Sequence, residues 1–75
     1  MIKEHESVVL ARDLPQEHLQ SGDLGVVVSV HKDGIAYEVE FMTLAGKTLT
    51  VVTLEAEDIR PVNPRMLPHI REIAV

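Results

Sequence analysis

The 75 residues contain no cysteine and no tryptophan, and only one tyrosine and one phenylalanine. Without cysteine there is no disulfide, no thiolate nucleophile and no cysteine-based zinc site, a usage that suits a reducing compartment. With so little aromatic surface, a core has to be built from Val, Leu and Ile, each worth roughly 1.5–3 kcal/mol when fully buried. Long apolar runs are also missing: none approaches the ~20 residues of a membrane span. The opening Met1-Ile2-Lys3-Glu4-His5-Glu6 lacks the apolar centre of a signal peptide, so the expectation is a soluble, cytoplasmic protein with no membrane partner. Basic residues are few. Seven Lys and Arg stand against twelve Asp and Glu, a formal charge of −5, and the average field repels phosphate backbones and anionic lipid. A chain this short buries only about 60% of its unfolded surface, so one marginal domain is expected, helped by a partner, a second copy or a docked tail.

What is present reads as strands. Gly22-Asp23-Leu24-Gly25 leads into a valine run, Lys32-Asp33-Gly34 reverses the chain, and Tyr37, Val39 and Phe41 alternate with Glu38 and Glu40. Asp-Gly supplies the left-handed residues of a tight hairpin, and the alternation places the apolar set inward and the glutamates in water. Strands are expected at residues 7–11, 26–30, 36–43, 48–53 and 59–60. In the second strand Val26, Val28 and Val30 are read as inward, and in the fourth Leu49 and Val51. That leaves Val9, Val27 and Val52 on the opposite faces as an apolar surplus that needs cover. Residues 13–23 form a long polar connection anchored by Leu14 and Leu19, with a helical turn at 16–19. Residues 54–58 suit one 3₁₀ turn, and Pro61 confines the last strand to an edge.

The tail changes period. Met66, Ile70 and Ile73 share a helical spacing, and Pro68 can occupy a first helical position, so a short helix is expected over 68–74. Seven residues do not hold a helix alone in water, so it must dock, either on its own barrel or on another chain. The division is a small β-barrel over 1–62 and a tail over 63–75.

Catalytic constellations are not found. His5, His18, His31 and His69 lie in four segments without metal-ligand spacing, and Ser7, Ser21 and Ser29 carry no nucleophile motif. No residue is assigned to catalysis, to a metal or to a cofactor. Glu55, Glu57 and Asp58, with Glu38 and Glu40, form an acidic set suited to a basic protein surface.

Five short strands, a long first loop, two hairpin corners and a 3₁₀ turn before the last strand are together the order of an all-β, five-stranded Src-homology-3-like barrel. The runs Gly22 to Val27, Ala36 to Phe41 and Leu54 to Pro61 look like the small barrels of ribosome- and transcription-associated proteins and of the nitrile hydratase β subunit. More closely, nearly the whole chain resembles a family of short bacterial proteins known only as a domain of unknown function, number 4926. The resemblance is carried by Ile2-Lys3-Glu4-His5, Asp13-Leu14-Pro15, Gly22-Asp23-Leu24-Gly25, Ala36-Tyr37-Glu38-Val39-Glu40-Phe41, Val51-Val52-Thr53-Leu54 and Arg60-Pro61-Val62. It implies a barrel, a stand-alone small protein and a neighbouring small protein as cognate partner, with no established activity.

The expected function is therefore a non-catalytic interaction module, antitoxin-like in role, that binds a cognate protein or a second copy of itself. Its contact set would be Val27, Glu38, Glu40, Glu55, Glu57, Asp58, Met66, Ile70 and Ile73. The alternative is a nucleic-acid-binding barrel using Arg60, Arg65 and Arg71, which the acidic balance and the inward aromatics disfavour. Isothermal calorimetry with zinc is expected to show no sub-micromolar site, and such a site would overturn this reading of the histidines.

Overall fold

In the computed structural model, which describes residues 2–74, the strand pattern folds as one antiparallel sheet. Its strands are β1 (Ser7–Leu10), β2 (Leu24–His31), β3 (Ala36–Met42), β4 (Thr48–Glu55) and β5 (Ile59–Pro61). They are hydrogen-bonded in the order β4-β3-β2-β1-β5. Short 3₁₀ turns occupy Pro15–Glu17, inside the β1–β2 connection, and Ala56–Asp58, just before β5. The class is all-β, as expected. The sheet ends at β4 and β5, and among the described residues no ladder joins the two. Met1 and Val75, the outer ends of the two expected segments, lie outside the described residues.

Local chemistry explains the corners. Lys32, Asp33 and Gly34 all take positive φ, at 48°, 57° and 100°. The Gly34 and Ile35 amides both donate to the His31 carbonyl, each at 3.1 Å. In the β1–β2 connection, Leu14 and Leu19 exchange main-chain bonds of 2.9 and 3.1 Å, which pinches the loop around its 3₁₀ turn and buries Leu19.

The core lies on one face of the sheet. Tyr37, Val39 and Phe41 point inward together with Val8, Leu10, Val27, Leu54 and Ile59. Cross-strand pairing sets this parity, because residues directly opposite one another share a face. One row crosses all five strands: Pro61, Val8, Gly25, Phe41 and Thr50. At its centre Gly25 is required by space. A Cβ there would come within 2.6 Å of Val39 Cγ1 and 2.9 Å of Phe41 Cε1.

Two facings differ from expectation. Val27 is fully buried opposite Val39, and Val52 packs against the core from the next strand, so both lie inward rather than outward. The sequence of β2 is apolar at both parities, so its own period could not choose a face. The choice belongs to β3, and a bulge at Val28 then switches the strand again before Ser29 meets Glu38. In β4 the same logic turns Leu54 inward opposite Tyr37 and leaves Val51 outward at 49% exposure, reversing the expected facing.

The tail also differs. Residues 62–74 contain neither helix nor strand, and Ile70 is 73% exposed. Seven residues have little to offset the cost of nucleating a helix, and Met66 and Ile73 are half-buried without one. Asn63 and Arg71 instead fix the segment: Asn63 Oδ1 accepts the Arg65 amide at 2.9 Å, and Arg71 reaches back to the β1–β2 connection.

Gly25→Ala is expected to lower unfolding free energy by about 1–3 kcal/mol through overpacking against Phe41. The exposed Lys47→Ala control should stay within about 0.5 kcal/mol. Urea midpoints at constant m-value check both.

Candidate interaction surface

The outer face of the sheet is a lattice of paired residues. Its rows run Val9–Leu24, Val26–Glu40–Val51, Ser29–Glu38–Thr53 and His31–Ala36–Glu55. The expected outward glutamates are there, and each is engaged. Glu38 accepts the Thr53 hydroxyl directly across the pair at 2.7 Å and lies 2.8 Å from His31 Nε2 on the diagonal. These hydrogen bonds, Thr53 foremost and then His31, hold the Glu38 carboxyl below its usual range. Glu40 accepts from the Thr48 hydroxyl.

Apolar side chains stand among these acids: Leu24, at 58% exposure, with Val28, Met42 and Val51. None of the four was in the expected contact set. The signal that could have found them is the same register that places Val27 and Val52 inside, since exchanging the two parities of a strand exchanges its buried and exposed sets.

The acidic turn divides in a way its charges do not announce. Glu55 and Glu57 are exposed, but Asp58 is 7% exposed and structural. Its Oδ2 accepts the Glu55 amide at 3.0 Å, tying off the start of the 3₁₀ turn, and its Oδ1 accepts Arg12 Nε at 2.7 Å. The Asp58 main-chain carbonyl also takes the Ala11 amide at 2.7 Å. Arg12 lowers the Asp58 pKa against the opposing effect of burial, and Asp58 in turn raises that of Arg12. Asp58 is therefore withdrawn from the expected contact surface, and so is the buried Val27.

A second ion pair holds the tail. Arg71 Nε and Nη2 donate to the two Asp23 carboxylate oxygens at 2.9 and 2.6 Å, and Nη2 also reaches the His18 carbonyl at 3.0 Å. Burial acts to raise the Asp23 pKa, but Arg71 and the Gln20 amide overcome it and leave the group depressed. Met66 and Ile73 are half-buried, while Ile70 is exposed. Among the arginines named for nucleic acid, Arg71 is thus neutralised, whereas Arg60 and Arg65 are exposed.

Beside this clamp lies an open groove of about 790 Å³ bordered by residues 13–20, Lys47 to Leu49 and Arg71 to Ala74. A smaller one of about 370 Å³ lies between Arg12 to Glu17 and Val52 to Leu54. Among the described residues no three His, Asp or Glu side chains gather as metal ligands, and no helix is long and apolar enough to cross a membrane.

Comparison with known proteins adds one finding. A family model described as Domain of unknown function (DUF4926) matches residues 4–61, and no curated protein and no solved structure matches.

Asp58, Asp23 and Glu38 all titrate below their ordinary values, so as pH falls the unfolded chain binds protons before the folded one. Stability is expected to hold above about pH 5 and to decline from about pH 4 downward. Asp58→Ala should cost about 1–2 kcal/mol at pH 7 through loss of the cap and the ion pair, and should flatten the acid decline. Glu57→Ala should do neither, as urea denaturation across the pH range would show.

Proposed function

This chain belongs to the DUF4926 family, and from that premise we propose that it is a non-catalytic protein-interaction module that takes a cognate protein, in an antitoxin-like role, on the outer face of its sheet. The observation that carries the reading is the pattern on that face. Exposed Leu24, Met42 and Val51 supply apolar contact, and Glu38, Glu40 and Glu55 between and beside them select a basic counterpart. Apolar anchors within a charged surround are the usual composition of a protein-binding patch. A second copy of the chain is the weaker occupant, because its own face carries the same negative charge.

The element order supports a Src-homology-3-like barrel as the finer description of the fold: β1 lies between β2 and β5, and a 3₁₀ turn precedes the last strand. Less supports nucleic acid as the ligand. Tyr37 and Phe41 are buried and offer no stacking surface, and Arg12 and Arg71 are held by Asp58 and Asp23.

Affinity capture from the native source, followed by cross-linking, tests the proposal. A discrete partner should be retained by the wild type and by Lys32→Glu at the hairpin tip, but lost with Glu40→Lys and with Val51→Lys. A chain that retains nothing at low salt, or a partner that both face variants keep, would sink it.

A further inference from the structure

The two edges of the sheet are not alike. β5 is three residues long and ends in Pro61, which cannot donate to a further strand. β4 is eight residues long, carries no proline, and has no charge before Glu55. Its sole ladder among the described residues is the one to β3, so on the other side its main-chain N–H and C=O groups are free to pair.

Both grooves lie along that free side. The larger meets β4 at Thr48 and Leu49, the smaller at Val52, Thr53 and Leu54. Val52, Thr53 and Leu54 alternate between the two faces of the sheet, so the smaller cleft, which touches all three, meets the strand from its edge, and the larger meets the same strand at the bulge around Leu49. The opposite wall of both clefts is the pinched loop of residues 12–20. Among the described residues a single side-chain bond, Thr50 Oγ1 to Glu17 Oε1 at 3.1 Å, crosses between the two clefts. The tail borders one end, but no main-chain bond ties it to β4 among the described residues.

We infer that this edge groove binds an extended, basic-flanked peptide segment of a partner protein, which adds as a sixth strand to β4. The chemistry of the groove names that occupant. An unpaired strand edge recognises main chain, so the ligand is extended, and its alternate side chains enter apolar ground at Leu14, Pro15, Leu49 and Val52. Asp13, Glu17 and Glu72 outnumber Lys47 on the rim, while Arg71 is held by Asp23, so positive flanking residues are favoured. The Glu17–Thr50 bond is exposed and gives way at small cost. This edge is separate from the outer face, so the inference stands or falls independently of the partner proposed there.

The test uses the full chain and the peptide Gly-Lys-Val-Thr-Val-Thr-Val-Lys-amide carrying fluorescein on its N-terminal amine, read by anisotropy and by amide hydrogen exchange. Saturable binding is expected, with new protection at alternate β4 amides within residues 48–54. N-methylation of alternate peptide amides, which leaves the protein untouched, should weaken binding at least tenfold. Replacing both peptide lysines by glutamate should weaken it too. Glu72→Lys, in the exposed tail, should lower affinity about threefold at low salt. Absence of binding, equal binding of the N-methylated peptide, or protection confined to residues outside β4 would overturn the inference. So would a concentration-dependent dimer that protects the same β4 amides without peptide, since the edge would then belong to a second copy.

Discussion

Val39 and the ring of Phe41 crowd the space a side chain at residue 25 would take, and the fold depends on the glycine there. With one phenylalanine and one tyrosine in the chain, both buried, Tyr37 and Phe41 are the only rings the core has, and the rest is aliphatic. Val39 and Phe41 can close on the neighbouring strand only because residue 25 is glycine, and the contact favours the β2–β3 register with Gly25 opposite Phe41. From that pair the row extends to Val8 and Pro61 on one side and Thr50 on the other, so one steric relation aligns all five strands. A one-residue slip of β2 against β3 would turn Val27 away from the face that Val39 and Val52 share.

Once the register is set, electrostatics ties the irregular segments to the sheet. Arg12 and Asp58 join the start of the long β1–β2 connection to the turn before β5. Arg71 and Asp23 join the tail to the end of the same connection. In each pair the aspartate is the less exposed partner, and its remaining acceptor capacity is met by a main-chain amide, of Glu55 in one case and Gln20 in the other. The connection is thereby held as a wall beside β4 with no main-chain bond to that strand among the described residues, which leaves an edge and a groove side by side.

The β2–β3 hairpin, the 3₁₀ turn before β5, the edge position of β5 and the inward face of β3 were legible in the sequence, while the turn expected over 16–19 lies instead at Pro15–Glu17. Each is set by neighbours along the chain: Asp33-Gly34 by its left-handed backbone, β3 by strict alternation, and β5 by Pro61. The facings of β2 and β4 were not legible, since Val26, Val27 and Val28, like Val51 and Val52, present apolar groups at both parities. The division of the acidic turn into exposed Glu57 and buried Asp58 depends on Arg12, forty-six residues away. The helix expected over 68–74 had the right spacing, but the segment is held by polar contacts such as Arg71 with Asp23 instead.

The hairpin from Gly22 to Phe41 thus contains what the sequence determined by itself: strands, corners, a buried Tyr37-Val39-Phe41 face and an acidic charge, all consequences of short-range sterics and residue polarity. Tertiary structure alone decided which valines are core and which are surface, which aspartates are structural, and that β4 keeps a free edge. Those outcomes follow from pairing between distant segments. A strand apolar on both faces takes its orientation from the neighbour it is bonded to, and a charge takes its role from the partner that folding brings to it.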